Sequence, residues 1–87
     1  MQYQPGMIVK SDAGHDQNRF YVIVQMKEGF AYIADGKCRK LEKPKRKNPI
    51  HLKRTGQSVE LAGLDTNRKI RRALHELNYG PQASVAE

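Results

Sequence analysis

Phe20-Tyr21-Val22-Ile23-Val24-Gln25-Met26-Lys27-Glu28-Gly29-Phe30-Ala31-Tyr32-Ile33-Ala34-Asp35-Gly36 is the stretch whose reading decides the fold. Apolar residues alternate along its first half. Phe20, Val22, Val24 and Met26 fall on one face at period two, with Tyr21 and Ile23 on the other, which predicts a strand over residues 19–27. Glu28-Gly29 then closes a hairpin to a strand at Phe30–Ala34. Asp35-Gly36 suits a type I′ turn, whose central residues need positive φ, and predicts a second hairpin to a strand at Lys37–Leu41. Upstream, Met7-Ile8-Val9 reads as a first strand, followed by a loop of turn formers at Asp12–Asn18. Downstream, Ile50–Arg54 reads as a short fifth strand. Five short strands in a meander predict a mainly β fold, a small five-stranded SH3-like barrel.

The end of the chain changes period. Ile70, Ala73, Leu74 and Leu77 lie on one stripe of a helix over residues 66–78, with Asp65 or Thr66 as N-cap and Gly80-Pro81 as the stop. Val59, Leu61 and Leu64 lead into it along the barrel. So narrow a stripe needs a surface to bury it, and the barrel is the one at hand. Residues 1–58 therefore form the barrel, 59–80 the lead-in and C-terminal helix of the same domain, and 81–87 a frayed tail. Eighty-seven residues leave room for one core and no second fold.

Charge is distributed unevenly. The chain carries 16 Lys and Arg against 9 Asp and Glu, a formal net charge of +7. Residues 37–54 hold nine of those cations, Lys37, Arg39, Lys40, Lys43, Lys45, Arg46, Lys47, Lys53 and Arg54, with Glu42 as their only acid. That block is +8 and the remainder of the chain is −1. Pro44 and Pro49 bracket its densest part, within a basic loop at 42–49, and favour extended backbone that spreads the cations along a line. A solvated charge run is the common alternative. Self-repulsion on this scale, inside the chain, favours a surface that meets a polyanion. Arg68, Arg72 and His75 lie on the helix face opposite the stripe, where a solvated face and a nucleic-acid contact are both open. Arg68 and Arg72 are like charges at i, i+4, unfavourable unless an anion lies near.

Ile8-Val9-Lys10-Ser11-Asp12-Ala13-Gly14-His15-Asp16-Gln17-Asn18-Arg19-Phe20-Tyr21-Val22-Ile23 resembles the KOW motif, a strand, a turn with a fixed glycine, a second turn residue and an apolar strand. Gly14 matches the glycine, and Asn18 stands where many members have a second one. Tyr32 to Asn48, containing Ala34-Asp35-Gly36-Lys37 and Arg39-Lys40-Leu41-Glu42, is similar to the bacterial KOW-domain RNA-binding proteins. These are related to large-subunit ribosomal proteins of eukaryotic and archaeal type. His51-Leu52 and Ile70-Arg71-Arg72-Ala73-Leu74 extend the resemblance over roughly residues 5–78. It implies an SH3-like barrel of KOW type and binding of RNA, ribosomal RNA or the ribosome. The basic block alone reaches nucleic acid without choosing RNA over DNA.

Other chemistries find less support. Trp is absent, and Phe20, Phe30 and Tyr32 suit the barrel wall. Tyr3, Tyr21 and Tyr79 remain as stackers, each with packing as the commoner role, so phosphate and shape recognition is expected over base readout. Cys38 with His15, His51 and His75 contains no close ligand pair, and no metal is expected. Cys38 is placed mid-strand, and its basic neighbours would make it prone to oxidation. Glycines are scattered singly at turns, so no phosphate-cradling loop, active site, cofactor or small-molecule substrate is expected. A single cysteine excludes an internal disulfide. Met1–Pro5 lacks the features of a signal peptide, and no apolar run approaches a membrane span, so a cytoplasmic protein without membrane contact is expected. The competing readings are a protein-interaction barrel for a translation or transcription factor and a DNA-binding accessory protein.

Overall fold

A computed structural model of the chain describes residues 3–12 and 19–79. Gly14 and Asn18, the expected KOW turn, and the 81–87 tail lie outside the described residues. Five strands form one antiparallel sheet: β1 (Met7–Ser11), β2 (Phe20–Lys27), β3 (Phe30–Ala34), β4 (Lys45–Lys47) and β5 (Leu52–Ser58). Their order across the sheet is β4-β3-β2-β1-β5, so the last strand returns to pair with the first. One helix, α1 (Asn67–Tyr79), follows. The architecture is mainly β, fitting a small β-barrel-like fold with a C-terminal helix.

Strand parity divides the core in two. Val9, Tyr21, Ile23, Ala31, Ile33 and Leu52 gather on one face of the sheet. Ile8, Val22 and Ala34 lie on the other, where Ile70 and Leu74 of α1 cover them. Burying each such aliphatic side chain contributes roughly 1.5–3 kcal/mol, so the two helix anchors hold α1 in place. Val59, Leu61 and Leu64 pack on this second cluster.

One register shift corrects the alternation read from β2. Ile23 pairs with Ile33, but Gln25 pairs with Tyr32, so Val24 is an extra residue on its strand. Such a bulge inverts the parity of everything beyond it. Met26 therefore packs with the Tyr21 cluster and not with Val22. The hairpin after it is as expected, with Glu28 at φ 53° and Gly29 at φ 84° closing Lys27 onto Phe30.

The second expected hairpin does not form. Asp35 is only 3% exposed, and its Oδ1 accepts from Lys37 N at 2.9 Å and Arg39 N at 2.8 Å. Asp35 N in turn donates to Arg39 O at 2.9 Å. The carboxylate thus folds residues 35–39 into a closed turn, and Lys37–Leu41 is not a strand. The fourth strand is Lys45–Lys47, in the extended stretch after Pro44. Pro49–His51 makes one 3₁₀ turn capped by Asn48 Oδ1, so the fifth strand starts later than expected and runs to Ser58.

Thr66 is the N-cap of α1: its Oγ1 accepts from Lys69 N at 3.2 Å. Two asparagines tie the helix down beyond its apolar stripe. Asn67 Oδ1 accepts from Leu41 N at 2.7 Å. At the other end Asn78 Oδ1 accepts from Phe20 N at 2.9 Å, while its Nδ2 donates to Phe20 O at 3.2 Å.

Candidate nucleic-acid interface

The 36–44 segment reaches the start of α1 because Gly36 has no side chain. Gly36 stands at φ +79°, and a Cβ there would lie 2.2 Å from Asn67 O and 3.0 Å from Arg71 N. Only glycine allows both the left-handed backbone and this approach. Backbone against backbone, the turn sets Lys37 beside the middle of the helix. Lys37, Arg71, Arg72 and His75 line a cleft of about 450 Å³.

A second hollow opens next to it in the chain. Cys38, Arg39, Lys40, Lys43, Pro44 and Lys45 form a bowl of about 470 Å³. Neither hollow is lined by a carboxylate among the described residues. Glu42, the one acid of the basic block, is drawn to the helix start, where Asn67 Nδ2 donates to its two oxygens at 2.9 and 3.2 Å. That bond, with a backbone hydrogen bond and the charge of Lys40 behind it, holds the Glu42 pKa below its ordinary value. Asn67 is therefore a clamp between loop and helix, bonded on one side to Leu41 and on the other to Glu42.

The expected site residues divide into those the fold assembles and those it spreads. Lys37, Arg39, Lys40, Lys43, Lys45 and Arg72 line the two hollows. Arg46 is exposed on β4, its guanidinium 4.7 Å from the centre of the Phe30 ring. Lys45 and Lys47 pair with Ile33 and Ala31, whose side chains belong to the core, and Lys47 is only 9% exposed. Lys53 and Arg54 are exposed on β5, the edge of the sheet opposite β4, and Lys53 Nζ lies 4.0 Å from Asp12 Oδ2. Arg68 is exposed and lines neither hollow.

Cys38 is exposed in the irregular segment that lines the bowl, which corrects its expected mid-strand position. Arg71 is absent from the expected site, and His75 is expected only on a helix face left open between solvent and nucleic acid, yet both line the cleft with Lys37. The sequence holds a signal for them, since Arg71, Arg72 and His75 are neighbours at i, i+3 and i+4 spacing on a helix. What the sequence does not show is the loop that comes to meet them.

Of the expected stackers, Tyr21 is 2% exposed and belongs to the core. Tyr3 Oη donates to Leu52 O at 3.0 Å and packs on the same cluster. The side chain of Tyr79 and all of His15 lie outside the described residues. Among the described residues no three His, Cys, Asp or Glu side chains are grouped to hold a metal ion. No described helix is long and apolar enough to cross a membrane. Compared with known families and with curated proteins, the chain matches no family model and no curated protein.

Proposed function

We propose that this protein binds structured RNA through its phosphate backbone and shape, with ribosomal RNA as the target, in ribosome function or assembly. The observation that carries the reading is the cleft in which loop and helix bring their cations together. Loop and helix, well separated in sequence, put Lys37 beside Arg71, Arg72 and His75, and the loop continues from Cys38 into the lysine-lined bowl. Such a surface repels itself in the free protein, and a polyanion relieves that repulsion, releasing its own counterions as it binds. The choice of RNA over DNA follows the resemblance to KOW-domain proteins in Ile8–Ile23 and Tyr32–Asn48. The protein acts in the cytoplasm by binding, with no chemical step and no cofactor.

Recognition of this kind is carried by phosphate contacts that fix position, with little reading of base edges. The shape of the basic surface then selects among folded RNAs. A competition titration with duplex RNA, duplex DNA and ribosomal subunits tests the proposal. Tighter binding to the subunits than to either duplex is expected. Equal affinity for both duplexes and the subunits marks a general polyanion binder, and preference for duplex DNA supports the DNA-accessory reading. Failure of all three to bind, together with capture of a folded acidic protein, supports an interaction barrel.

A further inference from the structure

The cleft and the bowl differ in kind. Three of the bowl's four cations are lysines, Lys40, Lys43 and Lys45, compact point charges. The cleft holds two arginines and a histidine facing one lysine. Guanidinium and imidazole groups are flat, and both serve as platforms on which an unpaired base stacks.

Both walls of the cleft are fixed before any ligand arrives. Lys37 stands on the turn closed by Asp35, and Asp35 Oδ2 is further paired with Arg19 at 3.5 Å. The opposite wall is α1, anchored by Ile70 and Leu74 and tied at Asn67 and Asn78. A site built this way loses little binding energy to ordering itself.

We propose that this cleft holds one unpaired nucleotide of the bound RNA, its base stacked on the flat groups of Arg72 and His75 and its phosphate beside Lys37 and Arg71. The proposal rests on the RNA-binding reading and narrows it. Contacts to backbone alone distinguish poorly between a continuous helix and one with a nucleotide turned out of the stack. This cleft makes that distinction, so the preferred RNA is a helix interrupted by a bulge or a loop.

The test uses two RNA hairpins identical but for a single-nucleotide bulge, titrated against the full chain at one salt concentration. About a tenfold preference for the bulged hairpin is expected from one stacked base. His75→Ala, its melting temperature measured beside the parent's, removes most of that preference and weakens the bulged hairpin far more than the paired one. Lys40→Gln with Lys43→Gln weakens both hairpins alike and keeps the preference. Equal binding of the two hairpins by the parent overturns the nucleotide site and leaves phosphate binding standing. A preference that survives His75→Ala also overturns it, because the base then lies elsewhere. Absence of binding to both hairpins overturns the RNA reading itself.

Discussion

Replacing Gly36 by alanine perturbs the joint on which the whole interface depends. The added methyl meets two separate penalties. At φ +79° an alanine sits in the left-handed region, which costs about 1–2 kcal/mol. Its Cβ would also lie 2.2 Å from Asn67 O, a backbone atom of α1 that no side-chain rotation can move aside. Forcing the turn and the helix apart adds about 1–3 kcal/mol, as overpacking does in a well-packed site. Gly56 provides the control, because it has nearly the same φ, +83°, and a Cβ there meets nothing within 4 Å. Gly56→Ala incurs the first penalty only. Thermal melts of the two variants should therefore differ by at least about 4 °C, with Gly36→Ala the lower, given roughly 4–8 °C per kcal/mol for a domain of this size. RNA titration of the folded protein should show Gly36→Ala weakened and Gly56→Ala unchanged, since only the former draws Lys37 away from Arg71. Equal melting temperatures for the two alanines would refute the packing of the turn on the helix.

Leu74 is 1% exposed between α1 and the sheet, so Leu74→Ala should cost about 2–5 kcal/mol in urea denaturation; a loss below about 1 kcal/mol would mean that the helix does not dock there. Asn67→Ala leaves Leu41 N without its acceptor and frees Glu42, so it should cost about 1–2 kcal/mol and weaken RNA binding although Asn67 lines neither hollow. Unchanged binding would remove its role as a clamp. Asp65 is held below its ordinary pKa of 3.8 by the hydrogen bond from Lys69 and then by that cation's charge. A folded-state pKa below the unfolded one gives a stabilising contribution that is present above pH 3.8 and fades as pH falls through the folded value. The gap in melting temperature between the parent and Asp65→Asn should accordingly be small, since the pair is exposed, and should close in strong acid; a gap constant with pH would contradict the pairing.

The strands that local pattern governs are legible in the sequence. β1, β2 and β3 follow from period two and from Glu28-Gly29, whose turn chemistry needs nothing beyond its own residues. The helix follows from the Ile70, Ala73, Leu74 and Leu77 stripe. Asp35-Gly36 misleads because the dipeptide has two uses for positive φ. A hairpin needs it for the turn, and here it is needed to lay the backbone of residue 36 against Asn67 and Arg71. The buried carboxylate of Asp35, which settles the matter, is visible only once the fold has turned it inward. Met26 departs from its expected face for a similar reason, because a bulge is a property of two strands and leaves little trace in one.

The site is legible as charge and not as shape. Residues 37–54 announce a basic surface, and six of the cations expected for the site line the hollows. The line of charge expected between Pro44 and Pro49 becomes an edge strand, where pairing turns Lys47 toward the core side and leaves Arg46 outward. Alternation of side chains along a strand makes that division unavoidable. Arg71 and His75 enter the site only through the approach of Gly36 to the helix, a long-range event that no window of sequence contains.

The most direct test of the account is the salt dependence of RNA affinity, measured for the parent and for a variant with Lys40, Lys43, Arg71 and Arg72 all changed to Gln. These four exposed cations come from both hollows, so their removal leaves the core untouched. If loop and helix form one phosphate-binding surface, the log–log salt slope falls by roughly 0.7–0.9 for each phosphate no longer neutralised, about 3 in all. A slope equal to the parent's would show that the RNA lies elsewhere on the protein and would contradict the account at its centre.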